Sequence, residues 1–234
     1  MSFVAVNAGS SRNKFQKMNS SLILPRTADY VRNLLAGDSA GHDWWHIERV
    51  RRVALTIARE ERADLFIVEL AALLHDVADW KFADGNEEAG PAAARKWLRS
   101  LEAEEATIDH VCRIIAQLSF KGAGVATPMD SLEGACVQDA DRLEAIGAIG
   151  IARTFAYGGW KGQPMHDPDL PPQLHGSFAE YKQNKGTTIN HFYEKLLLLK
   201  DRMNTAAGKR LAQARHTFME QYLEQFFAEW EGKR

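Results

Sequence analysis

The sequence predicts an all-α fold. Three observations carry that expectation. Apolar residues recur every three or four positions, cap residues stand where those segments begin, and no stretch alternates polar and apolar residues long enough for a strand. There is no internal repeat. Taken in order, Thr27 is placed to cap a short helix ending near Gly37. Asp43 caps the next, whose apolar positions are Ile47, Val50, Val53, Ala54, Ile57 and Ala58. Ala63-Asp64 starts a third, with Ile67, Leu70, Ala71 and Leu74 on one face. Gly90-Pro91 opens a fourth, because proline suits the first helical turn. Residues 105–119 form a fifth. Residues 131–157 make one helix or two, stopping at Gly158-Gly159. Residues 162–172 hold Pro164, Pro168, Pro171 and Pro172 and read as a loop. Thr188 opens another helix, and the last runs from Thr205 to Trp230. The segments 121–129 and 157–186 are the expected mobile or substrate-contacting loops.

The chain has 234 residues, enough for one large domain or one domain with a small extension. Net charge is -2, so no global charge bias points to a nucleic-acid polymer or an anionic membrane. Cys112 and Cys136 form no CxxC pair, which argues against a disulfide framework or a thiolate zinc site. No run approaches the roughly 18 apolar residues of a membrane span. Residues 1–26 lack acids and carry Arg12, Lys14, Lys17 and Arg26. They are expected to be a disordered tail before a domain at 27–234, and a cytoplasmic location follows. The same basic, acid-free composition is also weakly like a mitochondrial transit peptide.

Four polar groups are turned toward the core. His46 shares a helical face with Val50, Val53 and Ile57. His75 follows Ala71 by four residues, and Asp76 adjoins it at the helix end. Asp141 lies four after Val137 and four before Ala145. An ionised carboxylate is costly to bury unless it is paired or bound to a metal. One divalent cation accounts for two imidazoles and two carboxylates facing one interior. A mixed nitrogen and oxygen set suits Mn, Fe, Co, Ni or Zn, and Mg less well. The His-Asp dipeptide alone is weak, since His42-Asp43 and His166-Asp167 also occur. The order of the whole set carries the weight.

That order resembles the HD superfamily of metal-dependent phosphohydrolases: a His, a His-Asp pair ending a later helix, and an Asp on a still later one. Here it reads His46, then Leu73-Leu74-His75-Asp76, then Ala140-Asp141-Arg142-Leu143. The stretches at 41–46, 118–122, 139–150 and 188–195 are similar to a bacterial subgroup of small HD hydrolases linked to nucleoside triphosphate cleavage. The resemblance spans Ala28 to Trp230. It implies an HD-domain helical bundle around a single metal, held by His46, His75, Asp76 and Asp141. It also implies a substrate that is a small phosphate ester, in this subgroup a nucleoside or deoxynucleoside triphosphate cleaved to monophosphate and pyrophosphate.

Asp79 lies three residues after Asp76, the spacing at which some members of that superfamily carry an acid that helps activate water. It is the general-base candidate; the alternative is that it caps or neutralises Lys81. Lys81 follows the His-Asp pair closely, and Lys121 stands in a glycine-containing loop whose amides can approach an anion. Between Glu180 and His216 there are eight Lys or Arg against three acids, and Lys185, His191 and Lys195 are the preferred phosphate binders there. Arg142 is expected to pair with Glu144 or Glu48. Trp44, Trp45, Trp80 and Trp160 flank the motifs and are expected to pack or line walls rather than stack on a base.

Other readings stay open. One is a nucleoside monophosphate or cyclic nucleotide substrate. A second, of another class, is an HD-fold di-iron oxygenase, which needs more histidines than the single His110 between Asp76 and Asp141. A third is a non-catalytic protein with a structural metal. The oligomeric state, homo-oligomer included, is not legible.

Overall fold

The most apolar helix lies at the centre. The structure, a computed structural model, describes residues 22–36, 43–78, 88–118, 126–174 and 186–234. Among them the regular structure is helical throughout, in the order α1 (22–34), α2 (Trp44–Glu61), α3 (Leu65–Leu74), α4 (Ala89–Ser100), α5 (Glu105–Gln117), α6 (Leu132–Glu144), α7 (Gly147–Lys161), α8 (Thr188–Glu194), a 3-10 helix (Leu196–Arg202) and α9 (Ala206–Trp230). Helix α3 is apolar nearly all round and buries Ile67, Val68 and every residue from Leu70 to Leu74. A helix of that pattern needs neighbours on several sides. It has them in α2, α5 and α6, and α2 in turn packs most extensively against α6.

The helix starts follow their caps. Asp43 accepts a hydrogen bond from the His46 amide at 2.9 Å, and Asp64 accepts from Phe66 and Ile67. Thr187 and Thr205 cap α8 and α9, accepting from Asn190 and Gly208. Thr27 is different. The helix around it begins at residue 22, with Ile23 in the core, so Thr27 sits inside the helix. Its buried hydroxyl accepts from the Trp97 indole at 3.0 Å instead of capping.

The expected stop at Gly158-Gly159 is also corrected. Helix α7 runs through both glycines and ends at Lys161, with Gly162 in the left-handed region at φ 67. A side chain at 158 would place its Cβ 2.2 Å from Thr188 Oγ1. That glycine therefore serves close packing of α7 on α8 rather than termination. The 131–157 segment resolves into two helices, broken at Ile146 and Gly147, where φ is 77.

Candidate metal centre

Three elements bring the site together. The Asp43 cap fixes the first turn of α2 and with it the backbone of His46. His75 is the residue that ends α3, still in helical conformation, and Asp76 follows it in the turn. Asp141 comes from the last turn of α6. His46 and His75 are 1% and 8% exposed, while the Asp141 side chain is 37% exposed, so the group is buried on one side and open on the other.

The two imidazoles point their Nε2 atoms at each other across 3.3 Å. Asp76 Oδ2 lies 3.3 Å from His46 Nε2 and 3.6 Å from His75 Nε2. Asp141 Oδ1 lies 3.8 Å and 3.9 Å from the same two atoms. His46, His75 and Asp141 each offer a ligand atom, all within 4.8 Å of one another. Ligands bound at about 2.0–2.2 Å to one small cation stand apart by similar distances.

The far side of each ring also faces an acceptor. His75 Nδ1 is 2.8 Å from the Ala72 carbonyl. A carbonyl can only accept, so that nitrogen carries the proton and Nε2 presents its lone pair. His46 Nδ1 faces Glu144 Oε2 at 3.5 Å, an ion-pair distance longer than an ordinary hydrogen bond. Burial opposes charge on His46, but hydrogen bonds to Asp76 and Glu144 and the Asp76 charge outweigh it, raising its pKa from 6.5 to about 9. Glu144 moves the other way. Burial pushes its carboxyl up, yet His46, Arg153 and Arg49 pull it down to about 2. Carboxylates from Asp76, Asp141 and Glu144 thus surround His46 on both sides, a setting that favours positive charge at this place.

Among the remaining sequence candidates, Asp79, Lys81, Lys121 and Lys185 lie outside the described residues, as do Trp80 and His42. His191 and Lys195 belong to α8 and its end, an element packed on α7 and the 3-10 helix rather than on α3. Surrounding protein and the Lys195 charge lower the His191 pKa to about 3, although the residue keeps partial solvent exposure. It is therefore neutral near pH 7. His110 on α5 lies 3.7 Å from Glu133. Arg142 does not pair with an acid as expected: it donates to the Arg202 carbonyl and to Thr127 Oγ1. Glu144 is taken by Arg49 and Arg153, and Glu48 by Arg51 and Arg52. Trp44 is partly buried under the Arg32 guanidinium at 4.4 Å, whereas Trp45 and Trp160 are 61% and 58% exposed. The residue that sequence reading missed is Glu144. Sequence reading casts it only as a partner for Arg142, and its signal is an acid three residues after Asp141 on the same helix.

Fold and site together define an all-helical domain with a His, His-Asp, Asp set gathered from three helices. The HD domain family matches residues 44–146, a span that begins at α2 and contains all four residues. The chain belongs to the HD superfamily of hydrolases. It is 41% identical over 197 residues to the uncharacterized protein YpgQ of Bacillus subtilis, covering 84% of this chain and 88% of YpgQ. An HD-superfamily hydrolase from Bacillus thuringiensis is 46% identical, with a TM-score of 0.71 over 91% of this chain and 98% of that one. The structure of Bacillus subtilis YpgQ in complex with ADP aligns at 36% identity and a TM-score of 0.71, over 90% of this chain and 96% of its own. HD domains bind divalent metals. No helix among the described residues is long and apolar enough to cross a membrane.

Proposed function

We propose that this protein is a metal-dependent phosphohydrolase that cleaves nucleoside or deoxynucleoside triphosphates to monophosphate and pyrophosphate. The observation that carries the reading is the opposed pair of imidazole Nε2 atoms, 3.3 Å apart, with Asp76 and Asp141 beside both. His46, His75, Asp76 and Asp141 would hold the cation. When bound, a divalent ion at this place supplies the charge that polarises a phosphoryl oxygen and makes a neighbouring water more acidic. The protein's own part is to hold that charge rigidly. All four ligand positions stand on or just past packed helices, and the Ala72 carbonyl keeps the His75 proton on the outer nitrogen. Asp79 is the proposed general base. Lys81, Lys121, Lys185, His191 and Lys195 are the proposed phosphate contacts, with His191 acting as a neutral hydrogen-bonding group near pH 7. The ADP complex of the YpgQ relative supports a nucleotide as the ligand class. Among the described residues the candidate ligand group is His46, His75 and Asp141, which supports a single metal rather than a di-iron pair.

The test is turnover of a nucleotide panel by metal-stripped protein with Mn²⁺ returned. The panel holds ribo- and deoxyribonucleoside tri- and monophosphates and a cyclic nucleotide. Metal-dependent release of pyrophosphate from triphosphates is the expected result. Phosphate released from monophosphates alone would replace the substrate assignment. Absence of turnover with one equivalent of metal bound would overturn the enzymatic reading.

A further inference from the structure

The two histidines of the centre face the same requirement from opposite ends of their helices. Each must keep its proton on Nδ1 so that Nε2 can act as a ligand. His75 ends α3, where carbonyls are left without helical partners, and one of them, Ala72 O, accepts from its Nδ1 at 2.8 Å. His46 stands in the first turn of α2. A helix start offers unpaired N–H groups, not unpaired carbonyls. The Asp43 carbonyl and carboxylate before it already accept from the His46 amide. The backbone solution used for His75 is therefore not offered to His46, and an acceptor has to come from another element.

Resting on the metal reading above, we infer that Glu144 is the positioning residue for His46: its carboxylate keeps the proton on His46 Nδ1 and aims Nε2 at the metal. Glu144 is 2% exposed and places Oε2 3.5 Å from His46 Nδ1. It stands one turn after Asp141, so α6 provides one ligand and the acceptor behind another. Arg49 Nε donates to Oε1 and Arg153 to Oε2. These two guanidiniums, from α2 and α7, hold its oxygens in place beside the ring. Paired with two guanidiniums, the carboxylate offers the ring an acceptor.

The experiment is titration calorimetry of the full chain with Mn²⁺, comparing wild type, Glu144→Gln and Arg49→Gln, with circular dichroism as the check on folding. Glu144→Gln should weaken Mn²⁺ binding by roughly 10–100-fold, the usual cost of losing an acceptor behind a metal-bound histidine. Arg49→Gln removes one ion pair but keeps the carboxylate, and should change affinity much less. In wild-type protein loaded with Zn²⁺, two-bond nitrogen–proton correlations should place the proton on His46 Nδ1, a readout that does not depend on any variant folding. Equal Mn²⁺ affinity in wild type and Glu144→Gln, or a proton on His46 Nε2, overturns the role of Glu144 and leaves the metal reading standing. A wild-type chain that binds neither ion overturns both.

Discussion

Asp139 and Asp141 stand two residues apart on α6 and lead opposite lives. Asp139 is completely buried. Its carboxylate accepts from the Asn204 amide and side chain and from the Thr205 amide and hydroxyl, at 2.7–2.9 Å. Those donors fix the turn that starts α9. Gly208 leaves room for it, since a Cβ there would lie 2.3 Å from Asp139 Oδ2. Asp141 is part-exposed, and its Oδ1 stands 3.8 and 3.9 Å from the two imidazole Nε2 atoms. One carboxylate is saturated by donors and closes the fold. The other faces two imidazole nitrogens without a comparable set of donors, an arrangement that a cation would stabilise. Saturation by hydrogen-bond donors is what separates a structural buried acid from a ligand.

The comparison breaks first if Asp141 proves structural. Asp141→Ala and His75→Ala should lose bound metal and hydrolysis altogether while the metal-free chain keeps its fold; metal content and turnover check this, and a fully active variant would refute the ligand assignment. Asp79→Asn should keep the metal yet lower turnover by on the order of 10²–10⁴-fold, as loss of a general base does; unchanged turnover would return Asp79 to a capping role. Asp139→Ala should show the converse of Asp141→Ala. It leaves four donors, the two of Thr205 buried, without their acceptor and should cost on the order of 3 kcal/mol in urea unfolding. A smaller loss than for Asp141→Ala would erase the distinction drawn here.

Two weaker effects sharpen the surroundings. Lys121→Ala and Lys195→Ala should raise KM about tenfold for a triphosphate, the scale of one charge-assisted hydrogen bond, and less for a monophosphate. Equal effects on both would move these lysines away from the outer phosphates. His191 gives a pH dependence. The unfolded chain takes up its proton near pH 6.5 and the folded chain only near pH 3, so stability falls as pH drops between those values. Partial exposure limits the effect to about 1 kcal/mol. Urea midpoints at pH 7 and 5 should differ less in His191→Gln than in wild type; an unchanged difference would show that His191 titrates normally.

Much was legible from local chemistry. Asp43, Asp64, Thr205 and the apolar period of α2 announced their helices, because a cap and a face are fixed by residues within one or two turns. The order of His46, His75, Asp76 and Asp141 was readable for a related reason: each ligand is marked by a polar residue on an apolar face. The misreadings share the opposite property. Gly158 looks like a helix stop until Thr188, thirty residues away, is seen against it. Thr27 looks like a cap until Trp97 claims its hydroxyl.

The sequence by itself determined the helical class, the family and the set of four candidate ligands, since periodicity, caps and motif order are local or linear properties. Only the tertiary structure decided which acids on α6 serve the fold and which face the centre, and that Arg142 holds backbone while Glu144 stands behind His46. Those assignments depend on which donors arrive from α2, α7 and the α9 turn, and spacing along one helix carries no record of what packs against it.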